Sequence, residues 1–184
     1  MDFDISRQGK QLLLTTARES IKSAQNSEDY KLNEIPEELD FKSGCFVTLH
    51  LRGRLRGCIG NFRDDVNILE NVSLMAKQAA LADPRFGPVS KDELPMCSIE
   101  ISVLSPMKRV QPEEITVDRD GIYVIKGSSR GVLLPQVATE HKWDRETFLN
   151  QTCVKAGLPA DSWKDSETEI LSFQALVLKE NNLI

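Results

Sequence analysis

In the run Leu55-Arg56-Gly57-Cys58-Ile59-Gly60 a cysteine stands between two glycines and two positions after an arginine. A thiol attacks as its thiolate, which nearby positive charge and open backbone N–H groups favour, and this run offers both. If the run is a strand, Arg54, Arg56 and Cys58 share one face, with successive members about 7 Å apart. Cys58 is then the candidate nucleophile, His141 the candidate base or acid, and Glu100 the group that orients the base or binds a donor. Arg54, Arg56, Arg85 and Gln136 are the candidate substrate contacts, since guanidinium groups hold carboxylates and phosphates well. Such a set suits acyl, amide or thioester chemistry on a small anionic substrate or on a partner protein. Two other readings use the same residues. One is a non-catalytic ligand-binding or scaffold protein whose arginine face holds a peptide, a nucleotide or a partner surface. The other is a metal site built from Cys58 and His141 with His50. A purely structural reading needs no chemistry: Cys58 is a small residue in a tight turn, His141 packs near a helix start, and Glu100 pairs with an arginine.

The elements that must position these residues follow from apolar periodicity. Leu13, Ala17, Ile21 and Ala24 are spaced for a helix over about 6–26, with Ser6 as N-cap. Cys45, Val47, Leu49 and Leu51 alternate with Phe46, Thr48 and His50, which predicts a strand over 44–51. Arg52-Gly53-Arg54 suits a reversal into a second strand through Leu55, Gly57 and Ile59. A helix is expected over 66–82, capped by Asp64 or Asp65 and ended by Asp83-Pro84. Ile99, Ile101 and Val103 mark a strand over 98–104, and a shorter one is expected over 121–125. Residues 127–131 read as a loop whose glycines, serines and Arg130 offer an anion site. Asp144 caps a helix running to Ala156 with Gly157 at its C-terminal side, and 170–178 reads as one long last strand. Several reversals are too short for helical crossovers, so a mixed α/β sheet with flanking helices is expected rather than a purely parallel one.

Bulk properties narrow the function classes. The 184 residues carry a formal charge of −5, which argues against bulk nucleic-acid binding. Cysteines at 45, 58, 97 and 153 lack CxxC spacing and lack a three-cysteine cluster motif for iron and sulfur. They read as free thiols in a reducing cytoplasm, Cys45, Cys97 and Cys153 as small buried residues. The polar opening at residues 1–4 has no export signal, no apolar run is long enough to span a membrane, and no cofactor motif is present. Trp143 and Trp163 suit a core or interface better than a substrate wall.

Taken together, Phe46-Val47-Thr48-Leu49, Leu55-Arg56-Gly57-Cys58-Ile59-Gly60 and Asp83-Pro84-Arg85-Phe86 resemble the AMMECR family, the A component of the AmmeMemoRadiSam system in microbes. The segments 99–106, 133–138, 140–144 and 153–159 are similar to it as well, so the likeness covers about residues 8 to 180. It implies one domain over 1–184 with two interleaved subdomains, a larger and a smaller, forming a cleft at the hexapeptide motif. It also implies partners of two kinds, a Memo-like protein and a radical AdoMet enzyme. This chain lacks the cluster cysteines of the latter, so radical chemistry falls to the partner. The family resemblance names no activity.

Overall fold

The computed structural model describes residues 5–32 and 34–180. The chain divides into two compact units, one of residues 1–104 with 176–184 and one of residues 105–175. The expectation about residues 1–4 falls outside the described residues.

The first unit is a four-stranded sheet with two helices. Helix α1 (Arg7–Gln25) starts where the Ser6 hydroxyl accepts the N–H of Gly9, as its spacing predicts, and buries Leu13, Ala17 and Ile21. Strands β1 (Cys45–Leu51), β2 (Arg54–Asn61) and β3 (Cys97–Leu104) are joined by β8 (Ala175–Lys179) in the order β2-β1-β3-β8. β1 is antiparallel to both of its neighbours. Helix α2 (Ile68–Leu81) packs on β1, β2 and α1. The core between helices and sheet includes Val47, Leu49, Val72, Ala76, Ile99 and Ile101, all buried; each aliphatic side chain so placed contributes roughly 1.5–3 kcal/mol.

α2 begins later than its sequence suggests. Asn67, not Asp64 or Asp65, is the N-cap, its side chain accepting the N–H of Leu69. The Val66 carbonyl instead accepts from Ser43 N–H and Lys42 bridges to Asn67, which holds the preceding residues extended. Asp65 is taken by Arg63 in a two-pronged ion pair.

The β1–β2 connection is Arg52-Gly53, with φ of 52° and 76°. Both lie in the left-handed region that a type I′ hairpin demands and that asparagine and glycine adopt most readily. An Arg52→Asn protein should therefore be more stable by about 0.5 kcal/mol, read as a rise in the midpoint of urea unfolding.

The second unit contains the sheet β4-β7-β5-β6, built of Lys108–Arg109, Glu169–Phe173, Gly121–Lys126 and Ser129–Leu133, all antiparallel neighbours. Helix α4 (Arg145–Lys155) is capped by Asp144 as expected and buries Phe148, Leu149 and Cys153. Two expectations are corrected here and one helix is added. Residues 127–131 are a tight turn and the start of a strand rather than a loop: Ser129 already pairs with Lys126 in β6, the turn is Gly127-Ser128, and Arg130 donates to the Gly127 and Ser129 carbonyls. Pro135–His141 forms a short helix, α3, that the apolar run before it hides, with Pro135 in the first turn where a missing N–H is harmless. The last strand is two strands, β7 and β8, in different sheets; Gln174 between them exchanges hydrogen bonds with Ser105.

Candidate functional site

The hairpin is not regular. Leu49 pairs with Gly57 and His50 with Leu55, so Arg56 is an extra residue in β2. Such a bulge breaks the two-residue alternation. Arg54 falls in register with Leu51, whereas Cys58 pairs with Thr48, and the expectation that Arg54, Arg56 and Cys58 share one face fails for that reason. What the register does assemble is a row across the sheet. Cys58 on β2, Thr48 on β1 and Glu100 on β3 are direct partners, on the side away from Val47 and Leu49. Two strand spacings place Cys58 and Glu100 roughly 10 Å apart at their backbones. The Thr48 hydroxyl donates to Cys58 Sγ at 3.2 Å, and Glu100 pairs at 3.0 Å with Lys179 of β8 rather than with an arginine. All three members of the row are partly exposed.

β2 is an edge strand, and the backbone of Cys58 is closed off by the segment after α2. Asp83 accepts the Cys58 N–H through Oδ2 at 2.8 Å. Arg85 donates from Nη2 to the Cys58 carbonyl at 3.0 Å. The two side chains grip each other, Nε to Oδ1 at 3.0 Å and Nη2 to Oδ2 at 2.7 Å, and Arg85 N–H also reaches Oδ1. Asp-Pro-Arg thus imitates the missing neighbour strand for one residue, both partners of that bridge being side chains. The Asp83 carboxylate is buried, and the Arg85 guanidinium, with the Cys58 and Arg85 N–H groups, holds it well below the usual carboxylate range. Arg85 Nη1 makes no hydrogen bond among the described residues; the guanidinium lies over the Phe86 ring, 5.5 Å from its centroid, and the side chain is half exposed.

Arg56 is built into the same segment. Its Nε and Nη2 meet both oxygens of Glu93 at 3.2 and 3.1 Å, Nη1 donates to the Gly87 carbonyl at 2.8 Å, and Nη2 to that of Pro88. Glu93 is drawn down to about 2 by this guanidinium and by the Ser90 N–H. A guanidinium so occupied ties β2 to the loop.

The AMMECR1 family model matches residues 14–178. A protein of Methanothermobacter thermautotrophicus is 40% identical, the match covering 96% of this chain and 97% of that one. The chain belongs to the AMMECR1 family. Protein TK0174 of Thermococcus kodakarensis is 43% identical over 80% of this chain and 77% of its own. The crystal structure of uncharacterized protein PH0010 from Pyrococcus horikoshii superposes with a TM-score of 0.82 at 40% identity, covering 90% of this chain and 88% of that one.

In this AMMECR1-family chain the remaining expected residues lie on other elements or, for Arg54, at the start of β2. His141 ends α3 in the second unit, stacked on Trp143 with ring centroids 4.7 Å apart; Gln136 lies in the same helix. Arg54 is exposed beside the hairpin turn. Trp163 donates to Asn150, and Trp163 and Trp143 both pack against the buried cluster of the second unit, as a packing role requires. Cys45, Cys97 and Cys153 are buried, and burial pushes all three thiols up, Cys45 to about 12. Among the described residues no three His, Cys, Asp or Glu side chains are grouped to hold a metal ion, so the Cys58–His141–His50 reading gains nothing. No described helix is long and apolar enough to cross a membrane. Thr48, Asp83, Glu93 and Lys179 are the neighbours of the candidate residues that sequence reasoning missed. Asp83 had a visible signal, an acid two positions before an arginine, but it reads first as a helix stop.

Proposed function

We propose that the protein is a cysteine-dependent enzyme acting on a small anionic substrate, with Cys58 as its nucleophile. The observation that supports this reading is the setting of the sulfur: partly exposed, 3.2 Å from a hydroxyl donor, on the residue whose carbonyl carries Arg85. Reactive cysteines are partly open to solvent and lie near cations, and Arg85, although paired with Asp83, is the cation beside this one. Arg85 Nη1 is the anion contact, and Glu100 with Lys179 supplies the next polar contact along the row. The Cys58 N–H is spent on Asp83 and the Thr48 hydroxyl on the sulfur, so a developing oxyanion takes its donor from Arg85 rather than from the nucleophile's own amide. The proposal uses side chains of the first unit alone.

Iodoacetamide labelling, followed by peptide mass spectrometry, tests it. Cys58 should be alkylated faster than glutathione at neutral pH. Thr48→Val, which keeps the shape and removes the donor, should slow that labelling about fivefold, the worth of one hydrogen bond. Labelling of Cys58 no faster than that of glutathione ends the nucleophile reading.

A further inference from the structure

We infer that the pocket at the end of the first sheet, beside the β1–β2 turn, is a binding site for a small phosphorylated molecule, with Arg52 and His50 as its phosphate contacts. It encloses about 520 Å³, within the range of small-ligand sites. One wall is fixed and electrically balanced. Arg18 of α1 meets both carboxylate oxygens of Glu180, at 2.7 and 2.6 Å, and donates to the Leu94 and Cys97 carbonyls, while Glu180 also accepts the Ile99 N–H. The charge of Arg18 is thereby answered, and so is that of Glu180.

Arg52, the second guanidinium of the lining, is different. Among the described residues no acid pairs with it and no carbonyl accepts from it, and its neighbour in the pocket, His50, also makes no hydrogen bond there. Ser98, another lining residue, sits directly opposite His50 in the β1–β3 register and brings a hydroxyl to the same wall. A free guanidinium fork, an imidazole and a hydroxyl on one pocket suit an oxyanion with several acceptor oxygens.

The two-residue turn demands the left-handed φ of 52° at Arg52 and so fixes where this side chain starts, at the rim of the cavity. The volume leaves room for a polar body as well as the phosphate. Nothing in this argument requires Cys58 to react.

Isothermal titration of the full chain with inorganic phosphate and with glycerol 3-phosphate tests the site, with glycerol and citrate as controls. Saturable binding of both phosphates, the ester at least as tightly as the ion, and none of glycerol is the expected result. Arg52→Asn keeps the turn and should weaken the ester about tenfold, the worth of one charge-assisted contact. His50→Gln should weaken it in the same direction. Cys58→Ser should bind as the unaltered protein does, which separates this site from the thiol chemistry; a loss there would overturn that separation. No saturable binding of either phosphate, unchanged binding by Arg52→Asn, or tighter binding of citrate than of the ester would overturn the assignment.

Discussion

A Gly57→Ala protein should melt about 6–12 °C below the unaltered one, a loss of about 3 kcal/mol or more. A methyl group at position 57 would stand 2.1 Å from the Ala79 carbonyl oxygen, far inside contact distance, and the obstacle is helix backbone that has no rotamer to change. β2 or α2 must give way, and both carry the site: Cys58 is the next residue and Asp83 lies just past the helix end. The same variant should therefore disturb alkylation of Cys58. Gly87→Ala is the control, since a Cβ there meets nothing within 4 Å, and its stability should stay within about 0.5 kcal/mol. Circular-dichroism melts of the two variants decide the matter; equal melting temperatures would show that α2 does not press on β2 as described.

Asp83→Asn should lower stability by about 2–3 kcal/mol, because an amide cannot accept from Cys58 N–H and Arg85 as a carboxylate does and turns a donor towards one of them. Acid should act on the same bonds. Asp83 and Glu93 ionise more readily in the fold than in the unfolded chain, where carboxyl groups titrate near about 4. Groups depressed in this way stabilise the fold fully above that range and lose their contribution as pH falls, Glu93 through about 2 and Asp83 lower still. Thermal melts between pH 7 and pH 2 should show stability falling on the acid side of pH 4, with a shallower fall for Asp83→Asn. An identical acid limb in the two proteins would remove Asp83 from the account.

Elements with a strong period are legible in the sequence. Leu13, Ala17 and Ile21 point inward as their spacing requires, and Cys45, Val47 and Leu49 alternate with the open side of β1. The bulge was not legible. A regular two-residue hairpin would set Thr48 opposite Gly57; one extra residue at Arg56 sets it opposite Cys58 instead, and no residue type in the run announces that shift. Long-range ties were hidden for a related reason. Arg56 looks like a free cation in sequence because its partner Glu93 lies 37 positions away, and Glu100 finds Lys179 only once β8 joins β3's sheet. Charge patterns report which groups exist, and only pairing decides which of them are left over for a ligand.

The mutual hydrogen bonds of Ser105 and Gln174 mark where the chain departs from the first sheet and where it returns. β3 and β8 are neighbours in that sheet although some seventy residues separate them, so the whole second unit occupies the place of a turn between adjoining strands. A gene for the first sheet could thus have accepted the second as a single in-frame graft without any strand of the host changing its neighbour. Natural variation in length between relatives is then expected to gather inside the graft or at its two seams, and the row through Cys58, Thr48 and Glu100 would pass through such changes intact.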